Sequence, residues 1–222
     1  MKKILVVAVH PDDETLGCGG TLLKHKAAGD MIHWCIVTSV SKESGFSEDQ
    51  VYAKEQEIKQ AASRYGFDTV EHLNFPTTKL DQSPLEELIR RFSETIDRLE
   101  PNIIYLPFKY DVHSDHRVAF DATFSCTKNF RHPSITKILM METLSETDFA
   151  TALPAETFVP NYFVDISKFI DKKIEIASIY ASEMGKHPFP RSETSIRALA
   201  SLRGTAANCV AAESFMLLKE VS

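Results

Sequence analysis

The chain has 222 residues, 43% of them hydrophobic and 25% charged, which is enough to bury a core and is typical of an ordinary globular protein. Its formal net charge of -6 argues against nucleic acid as the main partner, because phosphate contacts need a basic surface. No apolar run approaches the roughly 20 residues that span a bilayer, and the four cysteines are scattered without a Cys-X-X-Cys pair, which excludes a cysteine-based zinc or redox motif.

The first predicted element is a β-strand at residues 4–9. Two lysines before this apolar run imitate a secretory signal, but the run is too short and acidic residues follow where a cleavage site should lie. We therefore interpret the run as a strand and expect a cytoplasmic protein. Further strands are predicted at residues 33–40, 69–75, 103–108, 137–143 and 162–166.

Helical patterns separate these strands, at residues 15–29, 51–66, 83–100 and 166–184. Gly29 and Gly66 are predicted to end the first two, and Ser83 with Pro84 to begin the third. The alternation predicts a three-layer, Rossmann-like α/β fold, with a mostly parallel sheet flanked by helices, in one domain over residues 1–222. Two prolines indicate a loop over or beside the site at 185–195, and an apolar element, strand or helix, follows at 209–218.

The turn after the first strand, HPDDE at residues 10–14, concentrates polar groups. Pro11 favours extended geometry at His10, so the acids fall at the start of the first helix, where carboxylates are stabilised by the helix dipole. A helix-capping role would explain one of the three acids in this turn, but it would not explain the other two acids or His10 next to them. The alternative is a metal site, in which His10 and one aspartate supply ligands and a second carboxylate stays free for proton transfer.

The glycines after this turn indicate a further alternative, a nucleotide-binding loop. Gly17 and Gly19 begin the G-X-G-X-X-G pattern, but Leu22 occupies its third position. The acidic turn would also repel a pyrophosphate. We therefore expect these glycines to let the helix pack closely on the sheet.

A second polar cluster, HSDH at residues 113–116, follows the strand at 103–108. Its residues could form a polar loop that caps the next helix. However, both clusters leave strands at the carboxyl edge of the predicted sheet, where sites of α/β proteins form. Two histidines and one carboxylate are a known catalytic zinc set, and Fe²⁺ or Co²⁺ could occupy the same ligands.

The pair of motifs resembles the LmbE-like, or PIG-L-type, zinc-dependent N-deacetylases, which act on N-acetylated sugars. The resemblance covers most of the chain, since Glu57, Ala61 and Gly66 fit the pattern of the family's second helix and AAESF at 211–215 resembles a segment near its end. It implies three metal ligands, namely His10, Asp13 and His116. It further implies Asp12 as the general base, His113 as the group that stabilises the tetrahedral intermediate, and Asp115 as the residue that orients His113.

The resemblance assigns the metal ligands and the general base, but it does not assign the substrate-binding residues. Lys54 stands where many relatives have arginine, and Thr77 stands where an aspartate is frequent. We consider Lys54, His187, Arg191 and Arg203 as candidates for contacts with a phosphate or with sugar hydroxyls. The expected partner is a small N-acetylated sugar or glycoconjugate, and the resemblance also implies a homo-oligomer.

The expected reaction is hydrolysis of an N-acetyl group to acetate and a free amine. A zinc ion would activate water, Asp12 would take its proton, and a protonated His113 would stabilise the oxyanion. Either Asp12 or His113 could return the proton to the leaving nitrogen. Two alternatives remain, a zinc hydrolase acting on another amide or ester and a noncatalytic Rossmann-like binding module.

Overall fold

Seven strands form one sheet in the computed structural model, which describes residues 1–222. The strands are β1 (Lys3–Ala8), β2 (Met31–Ser39), β3 (Thr69–Pro76), β4 (Ile103–Leu106), β5 (Lys137–Met141), β6 (Tyr162–Asp165) and β7 (Ala212–Glu220). The helices are α1 (Asp13–Ala27), α2 (Glu48–Tyr65), α3 (Leu85–Leu99), α4 (Ser114–Ser125), α5 (Ile170–Ala177) and α6 (Glu193–Ala207), with a 3₁₀ turn at Leu80–Gln82. None of the helices combines the length and the apolar character that a membrane-spanning segment requires.

The strand order is β3-β2-β1-β4-β5-β7-β6, and all pairs from β3 to β5 are parallel. Strand β7 runs antiparallel between β5 and β6. Because β1 pairs with β2 on one side and with β4 on the other, the chain reverses its direction of winding there. Such a switch point opens a crevice at the carboxyl ends of the strands, and here it lies between the turns after β1 and β4.

Apolar side chains of the sheet alternate between two cores. In β1, Leu5 and Val7 face the cluster that includes α3 and α4, whereas Ile4 and Val6 face the cluster that includes α1 and α2. This alternation follows from the two-residue period of a strand, and it shows a sheet buried on both faces. The predicted three-layer α/β fold with a mostly parallel sheet is therefore confirmed.

Two local expectations differ from the structure, and a third, left open between strand and helix, is decided by it. The helix predicted over 166–184 is shorter, since α5 ends at Ala177 and turns follow that bring Tyr180 back to the Glu14 carboxylate, 2.6 Å away. Helix α3 begins one residue after Pro84, and Ser83 makes no capping bond to it. The last apolar element is the strand β7, because it fills the gap between β5 and β6.

The glycines of α1 allow this helix to lie close to the strands beneath it. A Cβ added at Gly17 would lie 3.0 Å from the Cβ of Met141 in β5, and one added at Gly20 would lie 2.8 Å from the Cβ of Ile166. Both distances are shorter than ordinary carbon contacts of about 3.5–4.0 Å. The packing role predicted for Gly17 is confirmed, whereas a Cβ added at Gly19 would meet the hydroxyl of Tyr65 in α2 rather than the sheet.

A kink at Cys18 interrupts α1, and the C-terminal strand stabilises it. The Glu213 carboxylate of β7 accepts the main-chain N–H groups of Gly20 and Thr21 at 2.8 and 2.7 Å. Lys173 of α5 donates to the same carboxylate at 2.7 Å, so the buried charge is paired. These contacts fix the orientation of the helix whose first residues line the crevice.

Candidate metal centre

The turns after β1 and β4 meet at the switch point of the sheet. His10 and Asp13 come from the first turn, and His116 comes from the first turn of α4. One ligand atom from each of these three residues lies within 4.8 Å of the others. The Asp13 Oδ2 atom is 3.3 Å from Nε2 of His116 and 3.9 Å from Nδ1 of His10. The structure thus brings together the three residues that the resemblance implies as metal ligands.

The ring of His116 is held by Asp111. Its Nδ1 lies 2.8 Å from Oδ2 of Asp111, and Thr147 donates to Oδ1 of that carboxylate at 2.7 Å. The opposite atom, Nε2, is buried and has no hydrogen-bond partner. When Nδ1 carries the proton, Nε2 of the neutral ring keeps a lone pair, as a metal ligand requires.

The ring of His10 is held in the same way by Asp115. Its Nε2 lies 3.3 Å from Oδ2 of Asp115, which leaves Nδ1 on the side of Asp13. The Asp115 carboxylate also accepts the main-chain N–H groups of Thr78 and Leu80, at 2.7 and 3.0 Å. These distances identify Asp115 as the residue that orients His10.

This contact corrects the expectation that the Asp115 carboxylate orients His113. It is the main-chain N–H of Asp115 that donates to Nδ1 of His113, at 3.1 Å. Burial and the rings of His10 and His116 lower the pKa of His113, which favours the neutral form over the protonated form we expected. With Nδ1 accepting a bond, the proton of the neutral ring lies on Nε2.

Asp12 occupies a strained position at the start of α1. Its φ of 148° lies in a region that only glycine adopts readily, and its carboxylate makes no capping hydrogen bond. Burial and the adjacent Asp13 carboxylate raise the pKa of Asp12 well above its usual range, while the Arg191 guanidinium, 4.0 Å away, opposes this shift. The helix N-terminus alone therefore does not keep Asp12 ionised, contrary to our expectation.

The third acid of the turn, Glu14, supports the backbone and does not line the crevice. One of its oxygens accepts the main-chain N–H of Asp12 at 3.1 Å, and the other accepts the hydroxyls of Thr15 and Tyr180 at 2.5 and 2.6 Å. Burial raises the pKa of Glu14 to about 7. Glu14 thus holds the strained peptide that presents Asp12.

The charges of this centre fit a divalent cation. Although burial opposes ionisation, His116 and His10 hold the pKa of Asp13 below its usual range, and Asp13 and Asp111 in turn raise the pKa of His116, so Asp13 is a carboxylate and a divalent cation would replace the proton on Nε2 of His116. Asp12 and Asp13 are buried side by side, and the one guanidinium nearby stays 4.0 Å from Asp12. Two imidazoles and a carboxylate form a donor set that suits zinc and related ions, and the partnerless Nε2 of His116 is aimed into it.

A cavity of about 540 Å³ opens over these residues. Lys54, Thr77 and Arg191, which we considered from the sequence, lie in its wall with His113. The Lys54 ammonium lies 2.8 Å from Glu57 and 3.0 Å from Glu183. The remaining lining residues are mainly polar, among them Gln50, Thr78, Glu146 and Ser182.

Arg191 is positioned by the turn that follows α5. Its Nε donates to the Glu183 carbonyl at 3.0 Å, and its terminal nitrogens donate to the Glu183 carboxylate and to Ser145 at 3.2 and 3.3 Å. The loop predicted at 185–195 ends earlier, because α6 begins at Glu193, and it places Arg191 beside the site.

Two other candidates lie outside this cavity. The guanidinium of Arg203 forms a two-point contact with the Glu142 carboxylate, which also accepts the Ser214 hydroxyl, so it joins α6 to the sheet. His187 is exposed and does not line the cavity. The structure therefore does not place Arg203 or His187 in this cavity, and their substrate contacts stay predictions.

Sequence reasoning missed two contributors to the centre, Asp111 and Glu183. Asp111 could have been found as the acid five residues before His116 in KYDVHSDH. Glu183 carries no comparable signal, because the helix predicted across it hides the turn that brings it to Lys54 and Arg191.

Residues 5–127 match the family model described as PIG-L: GlcNAc-PI de-N-acetylase. The chain is 28% identical over 219 residues to diacetylchitobiose deacetylase of Thermococcus kodakarensis, covering 92% of this chain and 78% of that protein. It is 22% identical over 190 residues to a probable N-acetyl-alpha-D-glucosaminyl L-malate deacetylase 2 of Bacillus anthracis, covering 82% and 81%. Among solved structures, the conserved protein TT1542 from Thermus thermophilus superposes with a TM-score of 0.79 at 26% identity, over 100% of this chain and 97% of that one.

Proposed function

The chain belongs to the PIG-L family of GlcNAc-PI de-N-acetylases, and we propose from this premise that it removes the N-acetyl group from an N-acetylated sugar or sugar conjugate. The products are acetate and a free amine. The observation that carries the proposal is the convergence of His10, Asp13 and the buried His116 at the base of a cavity whose lining includes His10, Asp12 and Asp13. Residues 1–222 act in this proposal as one deacetylase domain.

The ion is proposed to be zinc, with Fe²⁺ or Co²⁺ able to use the same ligands. Nδ1 of His10, a carboxylate oxygen of Asp13 and Nε2 of His116 would hold it. When bound, such an ion polarises the acetyl carbonyl and lowers the pKa of a water molecule toward about 7. By holding the opposite ring nitrogens, Asp115 and Asp111 would keep the two imidazoles oriented for binding the ion.

Asp12 acts as the general base. Its carboxylate is free of capping contacts, and Glu14 fixes its peptide. Arg191 at 4.0 Å and a bound divalent cation would favour its ionised form, in which it can accept the proton of the attacking water. Once Asp12 holds this proton, burial favours keeping it until the leaving nitrogen takes it. We therefore assign proton return to Asp12 rather than to His113.

His113 stabilises the negative charge that develops on the acetyl oxygen. Because its Nδ1 accepts the Asp115 N–H, its Nε2–H is free to donate toward the cavity. A positioned donor of this kind contributes roughly 3–4 kcal/mol to a transition state. This role needs a neutral ring, which agrees with the lowered pKa of His113.

Lys54 and Arg191 are proposed to contact the sugar hydroxyls. Both lie in the cavity wall, and both are held by Glu183 from the turn after α5. Their pairing with carboxylates leaves little net positive charge, which suits a neutral sugar better than an anionic one.

Acetate release from a panel of acetylated compounds tests the proposed function. N-acetylglucosamine and diacetylchitobiose are compared with a peptide-like amide and with an acetyl ester, using protein loaded with zinc. We expect acetate from the acetamido sugars at a rate that exceeds the rate for the other compounds by at least about tenfold. Preferential cleavage of the ester or the peptide-like amide would support another metallohydrolase, and no cleavage with no bound metal would support a binding module.

A further inference from the structure

The AAESF segment at residues 211–215 has no part in the proposed reaction, yet it places a buried charge against α1. Glu213 of this segment is 5% exposed, Lys173 of α5 is 4% exposed, and their charged atoms lie 2.7 Å apart. A buried ion pair is weak evidence for stability, because apolar residues of similar volume often stabilise a fold as well or better. The contacts of this pair with the main chain of α1 indicate a different role.

The ion pair is inserted into the main chain of α1 at its kink. In a regular helix the N–H of Gly20 would donate to the carbonyl of Leu16, four residues earlier. The non-helical backbone of Cys18 interrupts this pattern. The N–H of Gly20 instead donates to the Glu213 carboxylate at 2.8 Å. The Leu16 carbonyl accepts the Lys173 ammonium at 2.9 Å, so each side of the break has one member of the ion pair as its partner.

The kink leaves a single turn of helix between the ion pair and the candidate metal centre. Within this turn, the N–H of Leu16 donates to the carbonyl of Asp12 at 2.9 Å. That carbonyl belongs to the peptide bond that leads into Asp13. Lys173 is thus connected to the peptide of Asp13 through two consecutive hydrogen bonds, with Leu16 between them. Loss of the ammonium would therefore release the end of the turn that carries Asp13.

The other end of this turn is fixed by β1. His10 follows this strand, and its main-chain N–H donates to Oδ2 of Asp13 at 2.8 Å. The carbonyl of His10 accepts the N–H of Asp13 at 3.3 Å. The third proposed ligand, His116, comes from α4, a separate segment. The distance between Asp13 and His116 therefore depends on how the turn is held at both of its ends.

We propose that the ion pair of Glu213 and Lys173 positions the turn at residues 12–16, and thereby sets the geometry and the affinity of the metal centre. Both are positioning residues, since neither lines the cavity over that centre. The inference rests on the proposed function, because it takes the three residues of the candidate metal centre as the ligands. It assigns a role in metal binding to β7 and α5, which supply no proposed ligand.

Metal binding by three variants tests this inference without turnover. Lys173→Met removes the ammonium and keeps an unbranched side chain. Lys173→Met combined with Glu213→Gln removes both charges, so that no buried charge stays unpaired. Lys137→Met is the matched control, because Lys137 forms an ion pair of the same 2.7 Å length with Glu220, at the other end of β7. Competition with a chromophoric chelator gives the zinc affinity, the visible spectrum of the Co²⁺-loaded protein reports the arrangement of the ligands, and thermal unfolding gives the stability.

We expect Lys173→Met to lower zinc affinity by about tenfold, the lower end of the usual effect of losing a partner of a metal ligand, and to change the Co²⁺ spectrum. The double variant should regain stability relative to Lys173→Met, because its charges are removed together. It should not regain the zinc affinity, because the turn still lacks its contacts. Lys137→Met should keep the wild-type affinity and the wild-type spectrum.

Wild-type zinc affinity with an unchanged Co²⁺ spectrum, in either Lys173→Met or the double variant, would reduce the ion pair to a structural role and overturn the inference. An equal loss of affinity in Lys137→Met would overturn it as well. If Lys173→Met does not fold, the double variant alone decides the outcome. Absence of acetate release in the panel described above contradicts the proposed function instead, and leaves this comparison of metal affinities valid.

Discussion

Asp111 places a carboxylate oxygen 2.8 Å from Nδ1 of His116, and this contact leaves Nε2 of the same buried ring without a hydrogen-bond partner. Oδ2 of Asp13 lies 3.3 Å from this Nε2 but lacks the geometry of a hydrogen bond, and a buried polar atom without one costs roughly 1–3 kcal/mol. A metal ion at Nε2 would remove this cost, because it would take the place of the missing partner. Metal binding by His116 would therefore explain why Nε2 of this buried ring has no hydrogen-bond partner.

Removing the Asp111 carboxylate should weaken metal binding through His116. We expect Asp111→Ala to lower zinc affinity by about 10–100-fold, the usual effect of losing the partner of a metal-binding histidine. Asp111→Asn keeps an acceptor oxygen and should lose less. Competition with a chromophoric chelator measures the affinity, and Asp121→Asn, at an exposed position of α4, serves as the control. Unchanged affinity in Asp111→Ala would contradict the role assigned to this contact.

Replacing Asp12 should separate proton transfer from metal binding. In Asp12→Asn we expect kcat to fall by about 10²–10⁴-fold, because the amide cannot accept a proton from water. Zinc content should remain that of the wild-type protein, since the proposed ligands are untouched. Rates of acetate release and metal analysis on the same sample provide the measurement. Retention of the wild-type kcat in Asp12→Asn would exclude Asp12 as the base.

Replacing Asp115 distinguishes the two roles considered for this residue. If its carboxylate orients His10, as the 3.3 Å contact indicates, Asp115→Ala should lower zinc affinity. If it acted only on His113, kcat would fall while zinc affinity stayed constant. We expect a loss of affinity of about tenfold or more. The chelator competition used for Asp111 distinguishes these outcomes, and thermal unfolding reports the additional loss of the contacts to Thr78 and Leu80.

Replacing Arg203 and Lys54 one at a time tests which of these two cations stabilises the fold and which contacts the substrate. Arg203→Ala removes the contact with Glu142 and should lower the free energy of unfolding by roughly 1–3 kcal/mol, with KM unchanged. Lys54→Ala should raise KM, because this side chain lies in the wall of the cavity. Thermal denaturation and steady-state kinetics on both variants provide the comparison. A raised KM in Arg203→Ala with full stability would restore the substrate role predicted from the sequence.

The periodicity of apolar residues was sufficient to predict the layers and most of the strands. Buried parallel strands such as β1 are apolar on both faces, and polar residues mark the turns after β1 and β4. Pro11 and the HPDDE turn located the start of α1 to within a few residues. These features depend on local sequence, and for this reason they could be derived without the structure.

Contacts between distant segments could not be derived in this way. Helical periodicity continues through 178–184, but in the structure α5 ends at Ala177, Tyr180 contacts Glu14 and Glu183 reaches Lys54, and these are contacts between distant segments. The same holds for the Asp115 carboxylate, whose choice between His10 and His113 depends on where the turn after β1 lies. Arg203 was considered as a substrate contact because nothing in the sequence indicates that it pairs with Glu142, which lies 61 residues away in the chain.

The central claim is that His10, Asp13 and His116 bind one divalent ion that deacetylation requires. Its most direct test is zinc titration of the chelator-treated protein, with acetate release from an N-acetylated sugar followed at each addition. We expect activity to be absent at first and to rise to a plateau at about one zinc per chain, whereas His116→Ala should bind no stoichiometric zinc and stay inactive. Full activity of the metal-free protein, or one tightly bound zinc in His116→Ala, would contradict the claim.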